Sequence, residues 1–397
     1  MSLLETITIA KSESQTPKTP SKHSIILNPD PIFPLLKPEP KSSSNNLINP
    51  ITGWQISAVD SHVIESNHRF FSKLKRKLKS PNTLTSDEFL RILNSFLEKT
   101  REGIGLSIGV GPTDPDYTRL AISKLAFVIS RDVAGLISEA CVALGLWELT
   151  DALIAHGLVV GCSSSVNLIE DLIRKNRSNS ICLYIRSVSD LRSSELLLIL
   201  KYFLSPSKDG YHSMISVRKE WERLAILSTE KAIENTLTKE KSRLARQAAV
   251  LLMMAHDGFS AYELCLHYLF GSNNVDGLAL SWAVARLDGS EVLRLVKYLG
   301  KWLRKYEKFP EAGPCPGAVA LGLEACEWVP TVDSIVGCLA VVLDEHFSYL
   351  ALYNELHEEM RSMEKLVRSF TAEAELCCSV ASLIENLRAD AGSRGGA

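Results

Sequence analysis

Between Tyr353 and Ile384 apolar residues recur in strict three-four alternation, and neither proline nor glycine interrupts them. Tyr353, Leu356, Met360, Met363, Val367 and Phe370 continue through Ala374, Cys377, Ala381 and Ile384 at the a and d positions of a heptad. Residues three and four apart share one face of a helix, so the pattern predicts a long helix with one apolar seam. The domain assignment places this helix at 346–388, with a disordered tail at 389–397. Its small seam residues can pack on this chain or on another protein's helix. The expectation is that the first half packs within the molecule and the second half meets a partner.

What precedes the seam also reads as helices. The spans predicted from periodicity and punctuation are 117–130, 132–145, 147–156, 166–175, 179–187, 194–204, 213–235, 239–256, 261–270, 276–286, 290–307, 317–328 and 332–344. Thr85-x-x-Glu88, Ser260-x-x-Glu263 and Asp288-x-x-Glu291 are helix-start signals, because a short oxygen-bearing side chain and a later glutamate satisfy first-turn amides. Gly258, Gly271, Gly289 and Pro310 punctuate between elements, and Asp209-Gly210 and Asp257-Gly258 read as links between helical windows. Sustained two-residue alternation is absent from the sequence. The predicted fold class is therefore all-α, an irregular α-solenoid over 56–345 with the long helix behind it. Residues 1–55, rich in Pro, Ser, Thr, Lys and Asn, are expected to be a disordered arm, with few large apolar side chains to offset ordering entropy. Within that arm Ile32, Phe33, Leu35 and Leu36 form a short apolar knot between prolines, a candidate for extended docking.

One likeness within the chain stands out. Leu191-Arg-Ser-Ser-Glu-Leu-Leu-Leu-Ile-Leu-Lys-Tyr-Phe203 matches Leu287-Asp-Gly-Ser-Glu-Val-Leu-Arg-Leu-Val-Lys-Tyr-Leu299 at an offset of 96 residues. Two related multi-helix units would produce it, and so would two amphipathic helices of similar composition.

Charge and cysteine content narrow the function classes. A formal net charge of −2 gives no global attraction to nucleic acid or anionic membrane, so any such contact is a local patch. Nine cysteines are scattered through apolar windows, which reads as buried thiols in a reducing compartment. The longest apolar tract free of Asp, Glu, Lys and Arg, Ala152–Ile169, is broken by His156, Gly157, Gly161 and Ser163–Ser165, so no membrane span is expected. No signal-peptide core is read at the start, and the chain is expected to be soluble and intracellular.

The chemical motifs are weak. Gly103-x-Gly105-x-x-x-Gly109-x-Gly111 lacks the dinucleotide spacing, and a flexible loop over Gly103–Pro115 is expected. Histidines and cysteines show no metal-ligand spacing; Asp344-Glu345-His346 reads as a helix terminus and Cys377-Cys378 as packing. Cys162 beside Ser163–Ser165 forms no nucleophile elbow. No catalytic residue, cofactor or metal is assigned. The basic run Lys73, Lys75, Arg76, Lys77 and Lys79 is the one local charge feature, suited to nuclear import or to phosphate contact.

The tail Cys338-Leu-Ala-Val-Val-Leu-Asp-Glu-His-Phe-Ser348, with Asn354-Glu-Leu-His357 and Leu366-Val-Arg-Ser369, resembles the C-terminal helical region of the nucleolar protein 11 family. The helix ending in Lys201-Tyr-Phe-Leu-Ser205 is similar to that family's middle helices, and the resemblance spans about 85–385. It implies a component of the small-subunit processome, in the nucleolus, linking ribosomal RNA transcription to early processing. The family pairs a β-propeller with an α-helical domain; a Pro- and Ser-rich arm stands in the propeller's place here, so no propeller role is carried over. The expected function is a non-enzymatic scaffold whose partners are other proteins of a processome-like assembly, with weak RNA phosphate contact and no membrane. A helical enzyme or ligand-binding protein with a pocket at 103–115, and a trafficking adaptor, are the alternatives.

Overall fold

The computed structural model describes residues 58–79, 84–112, 114–159, 165–234 and 238–394, with side chains from 61 to 388. The expected arm at 1–55, its apolar knot and Cys162 lie outside the described residues. The chain divides into 1–65, of which Ala58–Glu65 is described, and 66–397. All regular structure among the described residues is helical, as the fold class requires.

The helices are α1 (Ala58–Leu78), α2 (Ser86–Ile104), α3 (Tyr117–Leu125), α4 (Arg131–Leu144), α5 (Trp147–Ala155), α6 (Ser165–Arg174), α7 (Ser178–Ser187) and α8 (Ser193–Leu204). They continue as α9 (Lys208–Ile233), α10 (Lys239–His256), α11 (Ala261–Gly271), α12 (Gly277–Val284), α13 (Gly289–Lys308), α14 (Val332–Leu352) and α15 (Asn354–Arg394). From α3 to α9 each helix lies on the next helix but one: α3, α5, α7, α9 and then α11 form one row, and α4, α6 and α8 the other. The second row then passes from α8 to α12 and on to α14. The rows meet through α4–α5, α6–α7 and α8–α11. Two stacked rows let an amphipathic helix hide its apolar stripe on three sides, which is how helical arrays build a continuous core.

Aromatic side chains gather in that core where α9, α11 and α13 meet. His267 lies 4.7 Å from Phe259 and 4.9 Å from Trp302 between ring centres, with Trp221 edge-on at 5.3 Å. Trp221, His267, Tyr298 and Trp302 are fully buried. Aromatic rings in edge-to-face contact contribute beyond the area they hide.

Three expectations about elements change. The helix expected from 213 starts at Lys208, because the Ser207 hydroxyl accepts from the Gly210 amide at 3.1 Å. Asp209-Gly210 is therefore the first turn of α9, where an N-cap tolerates glycine, and not a link. The helix expected at 317–328 is two 3-10 turns, Pro316–Leu321 and Glu324–Trp328, separated by Gly322 at φ 71°. The terminal helix starts at Asn354, not 346: α14 runs on to Leu352 through a non-helical His346 (φ −121°, ψ 21°). His346 Nε2 donates to Val284 O at 2.8 Å, which ties this kink to α12.

The 96-residue likeness joins α8 to α13, which touch each other. The same offset carries α6 onto α11 and α7 onto α12, so three successive helices correspond. Beyond them it fails, because α9 falls on the end of α13 and the two 3-10 turns.

Within Glu324–Leu352 an 18-residue window of mean hydropathy 1.6 is long and apolar enough to cross a membrane, contrary to the expectation that no segment passes, and 39% of it is buried inside the molecule. Its helical part, α14, packs on α12, α13 and α15, and buries Ile335, Cys338, Leu339 and Val342.

Candidate protein-interaction surface

Two of the sequence features reach the surface as distinct faces. The first is the basic run at the end of α1. Phe70 and Leu74 are buried, and the Phe70 ring stacks on Phe96 of α2 at 4.2 Å. Asn67 fixes this helix by donating to Val128 O at 3.1 Å and accepting from the Ser130 amide at 3.0 Å. Helical spacing then turns Lys73, Lys75, Arg76 and Lys79 outward, all exposed. Lys77 differs: half-buried, it is ion-paired with Glu88, whose carboxyl is held below its usual range by that hydrogen bond. Lys75 lies over the Phe71 ring at 5.2 Å. Four exposed ammonium and guanidinium heads around one helix end make a local positive face on a nearly neutral chain.

The second face belongs to α15. Its first half is anchored: Leu356, Met363 and Leu366 are buried, while Met360, Val367 and Phe370 are half-buried. Tyr353 precedes the helix, 37% exposed, with its ring stacked on Tyr349 at 5.0 Å. The anchor is α13, where Gly300 permits close approach; a Cβ there would lie 3.2 Å from Met363 Sδ. Arg304 of α13 donates to Glu359 at 2.8 Å beside it.

From 371 to 388 every residue of α15 is exposed. The expected seam does not continue as such. Its later members are the small Ala374, Cys377 and Ala381, and Cys377 is exposed where packing was expected. The large residues stand one place earlier, at Leu376, Val380, Leu383 and Leu387, with Ile384 beside them. One residue turns a helix by about 100°, so this stripe looks away from the anchored seam. Leu376, Leu383 and Leu387 are 60% exposed or more.

Between α14 and the anchored half of α15 lies a groove of about 550 Å³, lined by Leu339, Leu343, Phe347, Met360 and Val367 with Arg361 and Arg368 at its edge. Phe347 is 70% exposed. Sequence reasoning missed this groove because its two walls come from separate helices whose crossing is a tertiary fact. The bare stripe was legible as unusually large residues beside a small-residue seam.

The loop at 103–115 does not gather acid–base groups around a nucleophile among its described neighbours. Gly105 caps α2 at φ 76°, Ile108 is buried, and Lys124 donates to Ile108 O at 2.9 Å. Near it, Glu98 accepts from Arg101 at 2.8 Å and from the Tyr117 hydroxyl. Those hydrogen bonds hold the Glu98 carboxyl low, and burial raises the Tyr117 phenol. Asp151 is the contrasting acid, raised by burial between α5 and α7 with Ser180 beside it. No group of three or more His, Cys, Asp or Glu among the described residues could hold a metal ion.

Three buried glutamates serve the fold. Glu195, Glu263 and Glu291 occupy the third position of α8, α11 and α13, each accepting from its own N-cap amide. Each also reaches a neighbouring helix, through Ser165, Lys301 and Lys201 respectively. A capping carboxylate thereby fixes both where a helix starts and what it lies against.

No family model matches this chain, and no curated protein and no solved structure is similar to it.

Proposed function

We propose that this chain is a non-enzymatic helical scaffold for protein–protein assembly, working in nucleolar small-subunit ribosome biogenesis. The observation that carries the scaffold part is the apolar groove between α14 and α15, which is wide enough for a partner's side chains. Grooves between helices accept amphipathic helices by taking their apolar anchors every three or four residues. The stacked rows behind it supply a rigid frame, so a docked partner meets a preformed surface. The nucleolar part rests on the resemblance of the tail and middle helices to the nucleolar protein 11 family. The exposed cations Lys73, Lys75, Arg76 and Lys79 suit import or weak contact with RNA phosphates.

The test is localisation of the tagged full chain, beside a variant with these four cations changed to glutamine. The reading expects nucleolar signal for the first and loss or redistribution for the second. A chain excluded from the nucleus removes the ribosomal reading.

A further inference from the structure

On its outer side α10 presents Lys239, Arg243, Arg246, Val250 and Met253 at intervals of four and three, all five exposed. That spacing sets them in one line along the helix, about 21 Å long at ~1.5 Å per residue. The first half of the line is cationic and the second half apolar. The other side of α10 buries Ala245, Ala248, Leu252 and Ala255, so the line is held outward by the core beneath it.

The three cations have no acids of their own. No ion pair or side-chain hydrogen bond engages Lys239, Arg243 or Arg246. On α13, by contrast, Lys301, Arg304 and Lys305 are all taken by carboxylates of neighbouring elements. Lys239, Arg243 and Arg246 line one hollow of about 780 Å³ with Ser242 and Gln247. Glu240 is the one acid lining that hollow among the described residues, and it stands about 100° round the helix from Lys239. Glu230 and Glu234, at the end of α9, do not pair with the three cations either. Below them, Val250 is 38% and Met253 48% exposed.

We propose that this line docks an acidic amphipathic helix of a partner protein. Three carboxylates of that helix meet Lys239, Arg243 and Arg246, and two apolar side chains meet Val250 and Met253. Complementary charge of this kind steers the encounter and fixes which end of the partner lies where. The apolar half then decides between anionic partners. A phosphate backbone engages the cations and leaves Val250 and Met253 in water, and the line holds no aromatic ring for a base to stack on. A helix with acids and apolar anchors on one face uses both halves. The line shares no residue with the α14–α15 groove, so it stands or falls apart from that groove and from the nucleolar reading.

Fluorescence anisotropy of labelled helical peptides titrated with the full chain tests the proposal. One designed peptide carries three glutamates and then two leucines along a seam of the same intervals, with neutral helix formers elsewhere. A second replaces the glutamates by lysines, a third replaces the leucines by serines, and each is made in both chain directions. A single-stranded RNA of mixed sequence is the fourth probe. The glutamate–leucine peptide is expected to bind, and the second and third to bind roughly tenfold more weakly or worse. Added salt is expected to weaken the first complex, because its cations are exposed. Arg243→Glu combined with Arg246→Glu is expected to reverse the preference, so that the lysine peptide binds better than the glutamate one. Val250→Ser combined with Met253→Ser is expected to weaken the glutamate–leucine peptide by roughly tenfold. All four sites face solvent, so thermal unfolding reports that the variants are folded. No binding of the glutamate–leucine peptide in either direction overturns the proposal. So does equal binding of the glutamate and lysine peptides, or RNA bound more tightly than the glutamate–leucine peptide.

Discussion

Lys301 of α13 donates to Glu263 of α11 at 2.8 Å, and the carboxylate it reaches is 1% exposed. The same carboxylate accepts from the Ser260 amide at 2.7 Å, so one buried acid starts α11 and fastens it to α13. Removing the cation strands a charge in the core. Lys301→Met is predicted to lower stability by about 3 kcal/mol. By contrast, Arg368→Ala, which breaks an exposed pair with Glu364 at 2.6 Å, is predicted to change it by under about 0.5 kcal/mol. Urea unfolding of both variants decides the comparison.

The pH dependence of stability is predicted to rise from His267. Its Nε2–H donates to Ala255 O at 2.9 Å and its Nδ1 accepts from the Tyr298 hydroxyl at 3.1 Å. Burial pulls its pKa down to about 3. In the unfolded chain a histidine titrates near ~6.5, so below that pH the unfolded state takes up a proton that the folded state refuses. Stability from this group is complete above the unfolded value and falls as the medium is acidified. The loss is about 2 kcal/mol between neutrality and about pH 5. His256, also lowered by burial, adds in the same direction. Urea unfolding of His267→Gln against pH is predicted to give a shallower slope than the parent chain, with His256 supplying the remainder.

The two halves of α15 are predicted to respond differently to truncation. Leu356 is fully buried, and Leu356→Ala is expected to cost about 3 kcal/mol. Leu383 is 62% exposed, and Leu383→Ala in dilute protein is expected to stay within about 0.5 kcal/mol. Thermal unfolding of the two variants separates an anchored helix from a free one.

Two glycines give opposite predictions. A Cβ on Gly271 would fall 2.4 Å from the Trp328 backbone, where nothing flexible can yield. Gly271→Ala is predicted to be destabilising by about 2 kcal/mol, through the shift it forces on the turn before α14. Gly337 lies inside α14 with nothing within 4 Å of the same atom. Gly337→Ala is predicted to stabilise by about 0.5 to 1 kcal/mol, the ordinary gain of alanine in a helix. Their melting temperatures should move in opposite directions.

Local chemistry was readable from residues a few places apart. Thr85 with Glu88, Ser260 with Glu263 and Asp288 with Glu291 each mark a helix start that the structure has. Periodicity failed where a local signal competed with it. Gly210 read as a break, although Ser207 caps the turn containing it. The apolar residues after Pro316 read as a helix, although Gly317 and Gly322 leave only 3-10 turns. Partners distant in sequence were beyond reach. Nothing near Glu263 announces Lys301, and nothing near Phe347 announces that Met360 forms the other wall of its groove. The seam was legible in period but not in phase, because large and small residues alternate on adjoining faces after Phe370.

On this proposal the chain acts through the proteins that its surfaces hold. Affinity purification of the tagged full chain from nuclear extract, with chemical cross-linking before mass spectrometry, tests that most directly. Proteins are expected in near-stoichiometric amount, with cross-links to α15 at Lys365, next to the groove-lining Glu364. A chain recovered alone, or cross-linked partners confined to sites remote from that groove, would contradict it.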